Sequence, residues 1–123
     1  MLTDTTFWVD LLLERRTARR GAAHRFLARH RAAALRVSII TWGELAEGFT
    51  ASAALDAVLH HVRVLPLHRH VAWEASRIAR ELRGERLAEN DNWIAATARA
   101  WGLALVGRDA AFARVPRLRV VRY

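Results

Sequence analysis

The succession of secondary-structure patterns is the feature of this sequence that most restricts its fold. Short apolar runs rich in β-branched residues predict buried strands at 36–40, 62–67, 103–107 and 118–123. Between them, apolar residues at three- and four-residue spacing predict helices over 5–16, 19–34, 41–48, 51–60, 68–83 and 91–101. Met1 and Leu2 are too few to identify by pattern, but a short strand ending at Asp4 fits the alternation. The alternation predicts an α/β fold, in which a parallel β-sheet is flanked by helices on both faces in three layers.

The size and hydrophobicity of the chain predict one domain covering residues 1–123. A chain of 123 residues with 53% hydrophobic residues is long enough to bury one sizeable core. No stretch approaches the roughly 20 apolar residues of a membrane span, and the N-terminus lacks the basic-then-apolar layout of a secretion signal. We therefore expect a soluble cytoplasmic protein with no membrane partner.

The absence of cysteine and lysine excludes several kinds of chemistry. Without cysteine there are no disulfides or thiolate sites, so a bound metal must be held by oxygen or histidine nitrogen. Carboxylate and water ligands favour a hard ion such as Mg²⁺ or Mn²⁺. Without lysine the chain cannot form a Walker-type phosphate loop or a Schiff base. A phosphoacceptor receiver domain has a length similar to that of this chain and carries acidic residues at the ends of its strands. Its mechanism also relies on a lysine, so the absence of lysine argues against this class.

The charge balance favours a polyanionic partner. The formal net charge is +8, and all 20 basic residues are arginine. Guanidinium groups match phosphate oxygens in a bidentate way, so nucleic acid is the first partner to consider. The alternative, which charge alone leaves open, is that arginine simply fills solvated helix faces.

Four acidic residues are predicted to meet at one edge of the sheet. Asp4, Glu44 and Asp109 follow predicted strands, and Asp91 begins a helix that leads into the strand at 103–107. All four would therefore lie at the carboxyl ends of parallel strands, where open α/β sheets bind their ligands.

Each of these acids also has a purely structural interpretation. Thr41 and Glu44 fit a capping box, Asp4 and Asp109 fit helix N-caps, and Asp91 fits the positive end of a helix dipole. Capping does not explain why all four fall on one side of the sheet, where their charges repel. A divalent cation would relieve the repulsion, and such a cluster is typical of magnesium-dependent phosphodiester cleavage.

Other polar and aromatic residues are weaker candidates for a site. Glu47 lies one turn beyond Glu44 and could approach the same cleft, whereas the remaining acids, Asp10 among them, fit solvated faces. The histidine-rich stretch at 60–70 has no paired acid at ligand spacing. Trp8 and Trp42 lie near the predicted site, although tryptophan is more often a core residue than a base-stacking platform.

Three segments of the sequence resemble PIN-domain nucleases. "TDTTFWVDLL" resembles their opening, "SIITWGELAEG" resembles their S-x-x-T-x-x-E-L segment, and "NDNWIAATARAWGLALVGRDAAF" resembles their most recognisable block. The similarity runs from about residue 3 to residue 112, and the closest group is the VapC-like toxins of bacterial toxin–antitoxin pairs. The resemblance implies a Mg²⁺- or Mn²⁺-dependent ribonuclease acting on RNA, with an acidic quartet formed by Asp4, Glu44, Asp91 and Asp109. It also implies an antitoxin that blocks the site, and often a homodimer.

Two positions depart from the family pattern. Thr6 stands where the family usually has Asn, and Gly107 stands where it often has Thr. The family fold could therefore also belong to a catalytically weakened nucleic-acid-binding or assembly subunit.

Four supporting residues are predicted around the acids. The hydroxyls of Thr5, Ser38 and Thr41 are expected to orient carboxylates or water, although turn and cap chemistry would explain them equally well. Arg108, the basic residue nearest the acids in sequence, could hold a substrate phosphate or pair with a carboxylate.

Overall fold

The computed structural model describes residues 1–123 and contains one five-stranded sheet in which every strand pair is parallel. The strands are β1 (Leu2–Thr3), β2 (Arg36–Ser38), β3 (Arg63–Leu65), β4 (Leu105–Val106) and β5 (Val120–Val121). Their order is β3-β2-β1-β4-β5, so that β1 is central. The predicted parallel sheet and the short first strand are confirmed.

Six α-helices and one 3₁₀ helix complete the structure. The α-helices are α1 (Thr5–Arg16), α2 (Ala22–Arg29), α3 (Ile39–Ala46), α4 (Ser52–Val58), α5 (Arg69–Glu81) and α6 (Glu89–Ala100). The 3₁₀ helix covers Ala110–Arg114. None of the helices combines the length and the apolar character that crossing a lipid bilayer requires.

The boundaries of several predicted elements differ from those observed. The predicted helix at 19–34 is the shorter α2, and the predicted strand at 36–40 ends at Ser38. Ile39 and Ile40 belong to α3 because the Ser38 side chain caps that helix. Their β-branched side chains favour a strand, but the local cap decides the conformation.

The helices cover both faces of the sheet, which confirms the three-layer architecture. On one face the core contains Val71 and Ile78 of α5 and Ile94 of α6. On the other face it contains, among others, Phe7 of α1 and Phe26 of α2. The neighbouring β4 residues Leu105 and Val106 belong to these two different cores, as expected from the alternation of side chains along a strand.

A buried ion pair joins α5 to α6. The guanidinium of Arg99, whose side chain is 5% exposed, donates to Glu74 and Glu81 of α5 and to the carbonyl of Pro116. Burial alone would raise the pKa of Glu74, but hydrogen bonds and charge from Arg99 and Arg77 hold it below its ordinary value. This lowered pKa stabilises the folded state at neutral pH, and that contribution is lost as the pH falls below the ordinary value of 4.5 and through the lowered value of the folded state.

Replacing Arg99 with methionine should lower the free energy of unfolding by about 3–5 kcal/mol, because it leaves the buried Glu74 carboxylate without its main partner. Arg114→Met is the matched control, since Arg114 forms an exposed pair with Glu85. That variant should lose less than about 1 kcal/mol. Urea denaturation at neutral pH measures both changes, and equal small losses would contradict a structural role for the Arg99 pair.

Candidate active site

Asp4 lies directly after the central strand β1 and begins α1. Its Oδ1 accepts a hydrogen bond from the Phe7 backbone N–H (2.9 Å), and its Oδ2 accepts one from the Thr6 hydroxyl (2.6 Å). The residue is 4% exposed. Burial raises the pKa of Asp4 above its ordinary value, although these two hydrogen bonds and the charge of Arg108 oppose the shift. Asp4 is thus both an N-cap and a buried carboxylate.

The two departures from the family pattern both lie against Asp4. Thr6 supplies the hydroxyl that binds Oδ2, and a Cβ atom at Gly107 would lie 2.7 Å from the same oxygen. The backbone at the end of β4 therefore approaches the Asp4 carboxylate more closely than a side chain at position 107 would allow. In this chain the two changes fit each other, because Thr6 donates to one carboxylate oxygen and Gly107 leaves room for the same oxygen.

Glu44 links three segments of the site. Its Oε2 accepts a hydrogen bond from the Thr5 hydroxyl, and its Oε1 accepts one from the Asn90 side-chain amide (2.8 Å). Thr5 adjoins Asp4 and Asn90 adjoins Asp91, so Glu44 of α3 bridges the beginnings of α1 and α6. Sequence reasoning missed Asn90, although it lies inside the block that resembles the family.

The predicted capping box at Thr41 and Glu44 is wrong. Ser38 is the N-cap of α3, and its Oγ accepts a hydrogen bond from the Thr41 backbone N–H (3.0 Å). The Ser38 hydroxyl also donates to the Thr41 hydroxyl (3.1 Å), and both residues are buried. Of the three predicted supporting hydroxyls, only that of Thr5 contacts a carboxylate.

Asp91 is a half-buried acid of the quartet that accepts no hydrogen bond. Helix α6 begins at Glu89, two residues earlier than predicted, and its N-cap is Ala88, so Asp91 lies within the first turn. Burial raises the pKa of Asp91, and the negative charges of Asp109, Glu44 and Asp4 raise it further. Its carboxylate therefore lies within the electrostatic reach of the other three.

Asp109 follows β4 and caps the 3₁₀ helix. Its Oδ1 accepts a hydrogen bond from the Ala111 backbone N–H (2.8 Å), and the residue is exposed. The predicted capping roles of Asp4 and Asp109 are thus both present, at the same edge of the sheet.

The quartet is suited to a hard divalent cation by its chemistry. All four groups are carboxylates, which are the ligands that hard cations prefer, and burial together with the charges of the other three raises the pKa of Asp91. In their present positions no three acidic or histidine side chains surround one point closely enough to hold a metal ion. Three of the carboxylates are hydrogen-bonded within the protein, so ion binding would require them to exchange those partners.

Beside the quartet lies a second polar cluster that sequence reasoning missed. The Arg108 guanidinium is 3.0 Å from Oδ2 of Asp10, and the Tyr123 hydroxyl donates to the same oxygen (2.8 Å). Burial and the hydrogen bond to Asp10 raise the pKa of Tyr123 above its ordinary value. Of the two roles predicted for Arg108, holding a phosphate or pairing with a carboxylate, the structure shows the pairing with a carboxylate. The solvated-face interpretation of Asp10 is wrong.

The tryptophans and Glu47 do not join the quartet. Trp8 is buried in the core, where its Nε1 donates to the Thr3 hydroxyl (2.8 Å). The Nε1 of Trp42 donates to Asp56 (3.1 Å), and Glu47 is exposed at the C-terminal end of α3.

Comparison with known proteins finds one family and several similar structures. The PIN-domain family model matches residues 1–118. VapBC2 from Rickettsia felis, solved with a DNA fragment from its promoter, has a TM-score of 0.81 at 19% identity and covers 98% of this chain and 96% of that chain. VapBC-1 from nontypeable Haemophilus influenzae has the same TM-score and coverage at 22% identity. A toxin–antitoxin complex from Klebsiella pneumoniae has a TM-score of 0.72 at 24% identity, covering 95% of this chain and 93% of that chain. No curated protein sequence matches significantly.

The raised pKa of Asp91 predicts the sign of a stability change. An acid whose pKa is raised by folding destabilises the folded state once the pH exceeds both pKa values, and has no such effect below its ordinary value of 3.8. Without divalent ions, Asp91→Asn should therefore be more stable than the wild type at neutral pH, and the gain should vanish in acid.

Glu89→Gln is the matched control, because Glu89 is the other acid in the first turn of α6 and is exposed. Loss of its interaction with the helix dipole should cost about 0.3–1 kcal/mol. Thermal melts in EDTA at neutral and acid pH measure both variants. If Asp91→Asn loses as much thermal stability as the control, Asp91 acts only through the helix dipole at the start of α6.

Proposed function

Because the chain belongs to the PIN-domain family, we propose that it is a Mg²⁺- or Mn²⁺-dependent endoribonuclease that hydrolyses RNA phosphodiester bonds. The observation that carries this proposal is the meeting of Asp4, Glu44, Asp91 and Asp109 from four separate segments at one sheet edge. Hydrogen bonds connect those segments: Thr5 and Asn90 donate to Glu44, and the Asp4 backbone N–H donates to the carbonyl of Val106 (3.0 Å).

The proposed chemistry assigns the four carboxylates to metal binding. A bound divalent ion would neutralise charge on the scissile phosphate and activate the attacking water. Asp4, the most buried of the four, is proposed as a ligand together with Glu44, Asp91 and Asp109. Thr6 fixes the Asp4 carboxylate, while Thr5 and Asn90 fix Glu44.

A second candidate function is a PIN-fold nucleic-acid-binding or assembly subunit without activity. The contacts of Thr6 and Gly107 with Asp4 are the observation that favours it, because both replace the usual family residues at a carboxylate the chemistry needs. Metal-dependent cleavage of RNA by the purified protein separates the two candidates.

We further propose that the chain is the toxin of a toxin–antitoxin pair. Its structural relatives include a toxin–antitoxin complex, which supports a cognate antitoxin as partner. An apolar groove of about 690 Å³ between α1 and α3 fits such a partner, since Val9 and Leu13 on its wall are 52% and 47% exposed. Expression with and without the neighbouring gene, scored by growth, tests the pairing. A homodimer stays a prediction that the mass in solution would test.

Cleavage of RNA should require a divalent ion and the quartet. EDTA should abolish it, and Asp4→Ala and Asp91→Asn should each lose more than the about 10- to 100-fold typical of residues that only orient ligands. Glu89→Gln should keep wild-type activity. Asp91→Asn should also lose part of the thermal stabilisation that Mg²⁺ gives the wild type. The Asp4→Ala preparation controls for a contaminating nuclease. If the wild type cuts RNA equally well in EDTA and the Asp4→Ala preparation does not cut it, the metal mechanism is refuted.

A charge placed in the apolar groove should weaken the antitoxin complex. Val9→Glu should reduce affinity by about tenfold or more, because burying an uncompensated carboxylate costs more than about 1.4 kcal/mol. Leu67→Glu is the control, since Leu67 is exposed and lies outside the groove. Titration of the purified partner measures both. Equal affinities would place the antitoxin elsewhere.

A further inference from the structure

The positive charge of the chain is unevenly compensated. Residues 15–31 contain seven arginines and no acid, and none of the seven forms an ion pair. Four arginines of the rest of the chain pair with glutamates: Arg77, Arg99, Arg114 and Arg117. Five of the seven lie where α1 ends and α2 begins, and they form the largest cluster of unpaired arginines in the sequence.

A groove leads from this region toward the acidic quartet. The lining of a cavity of about 480 Å³ includes Asp10, Glu14, Arg19 and Arg108. A second cavity of about 350 Å³ shares Glu14 and Arg19 and is also lined by Arg15, Arg20 and His24. Arg108 immediately precedes Asp109 of the quartet. With a rise of about 1.5 Å per residue, the 12 residues of α1 span about 18 Å from the quartet to the arginines.

The two acids in this groove are already engaged. Asp10 is paired with Arg108 and accepts from the Tyr123 hydroxyl. Glu14 accepts hydrogen bonds from the backbone N–H groups of Ala23 and His24 and from the His24 ring. Burial alone would raise the pKa of Glu14, but these bonds hold it below its ordinary value. The arginines are thus left to an external anion.

We propose that the arginine corner, defined as Arg15, Arg19 and Arg20, binds the sugar-phosphate backbone of single-stranded RNA extending from the quartet. The proposal rests on the proposed nuclease function for the identity of the anion. Guanidinium groups recognise phosphates bidentately, and most of the residues that line the two cavities are polar or charged. Such contacts hold RNA of any sequence in place.

The test compares two double variants with the same loss of charge. Arg19→Gln/Arg20→Gln changes the arginine corner, whereas Arg69→Gln/Arg83→Gln changes exposed, unpaired arginines that lie on α5 and just after it. Affinity for a labelled single-stranded RNA of mixed sequence is measured between low and moderate salt in an Asp109→Asn background, which prevents cutting. The same substitutions in the otherwise wild-type chain are assayed for cleavage.

The corner variant should bind RNA about fivefold more weakly or worse at low salt, and its salt slope should fall by about 1.4, or 0.7 for each lost phosphate contact. In cleavage its KM should rise while kcat stays at the wild-type value. The control variant should change affinity and KM by less than twofold, since neither Arg69 nor Arg83 lines the two cavities.

Equal weakening by the two double variants would overturn the proposal, because it would reduce the effect to net charge. Unchanged RNA affinity in the corner variant would also overturn it. This holds even if the variant loses binding to an acidic protein partner, because the corner would then be a protein-binding surface. If RNA is cut normally by the corner variant, the inference fails and the nuclease function stands. If RNA binds through the corner but is not cut in the presence of Mg²⁺ or Mn²⁺, the proposed nuclease function is wrong and RNA binding by the arginine corner is retained.

Discussion

The buried carboxylate of Asp4, at the end of the central strand, is the group on which both the fold and the site depend. Ionised carboxylates are costly to bury, and two hydrogen bonds from the first turn of α1 offset only part of that cost, because the pKa of Asp4 is still raised. The same bonds begin the helix whose Phe7 and Leu11 fill one core. Neutralising Asp4 would therefore disturb packing as well as charge, which makes Asp91, with no hydrogen bond to lose, the cleaner probe of the quartet.

The repulsion between the carboxylates of the quartet is opposed by contacts that Arg99 makes near the other end of α6. Mutual repulsion favours moving the start of α6, and with it Asp91, away from the other carboxylates. Nine residues in α6 separate this start from its last turn, where Arg99 fastens the helix to α5 and to the chain before β5. The buried pair thus opposes repulsion at the other end of the same helix. Loosening it is expected to relax the site before it unfolds the chain.

The sequence predicted what depends on chain-wide periodicity and missed what depends on contacts between distant residues. The alternation of strands and helices placed Asp4, Glu44, Asp91 and Asp109 at one edge, because parallel strands have only one carboxyl edge. The choice of Ser38 over Thr41 as the cap of α3 was not predictable, since both residue types cap helices well. The bond between Tyr123 and Asp10 joins residues 113 positions apart, and no local pattern encodes it. Asn90 was missed because its partner, Glu44, is 46 positions away.

The separation of opposite charges along α1 bears on how a polyanion would use this surface. The quartet at the beginning of α1 repels phosphate, while the unpaired arginines at its end attract it, and Arg108 with Asp10 lies between them. Long-range attraction by the arginines does not depend on the protonation or occupancy of the carboxylates, because arginine stays charged at all relevant pH values. Entry of a phosphate among the carboxylates does depend on neutralising them. Binding and cleavage of RNA would then be separable properties of two ends of one helix, and a chain that had lost its chemistry could still keep its affinity.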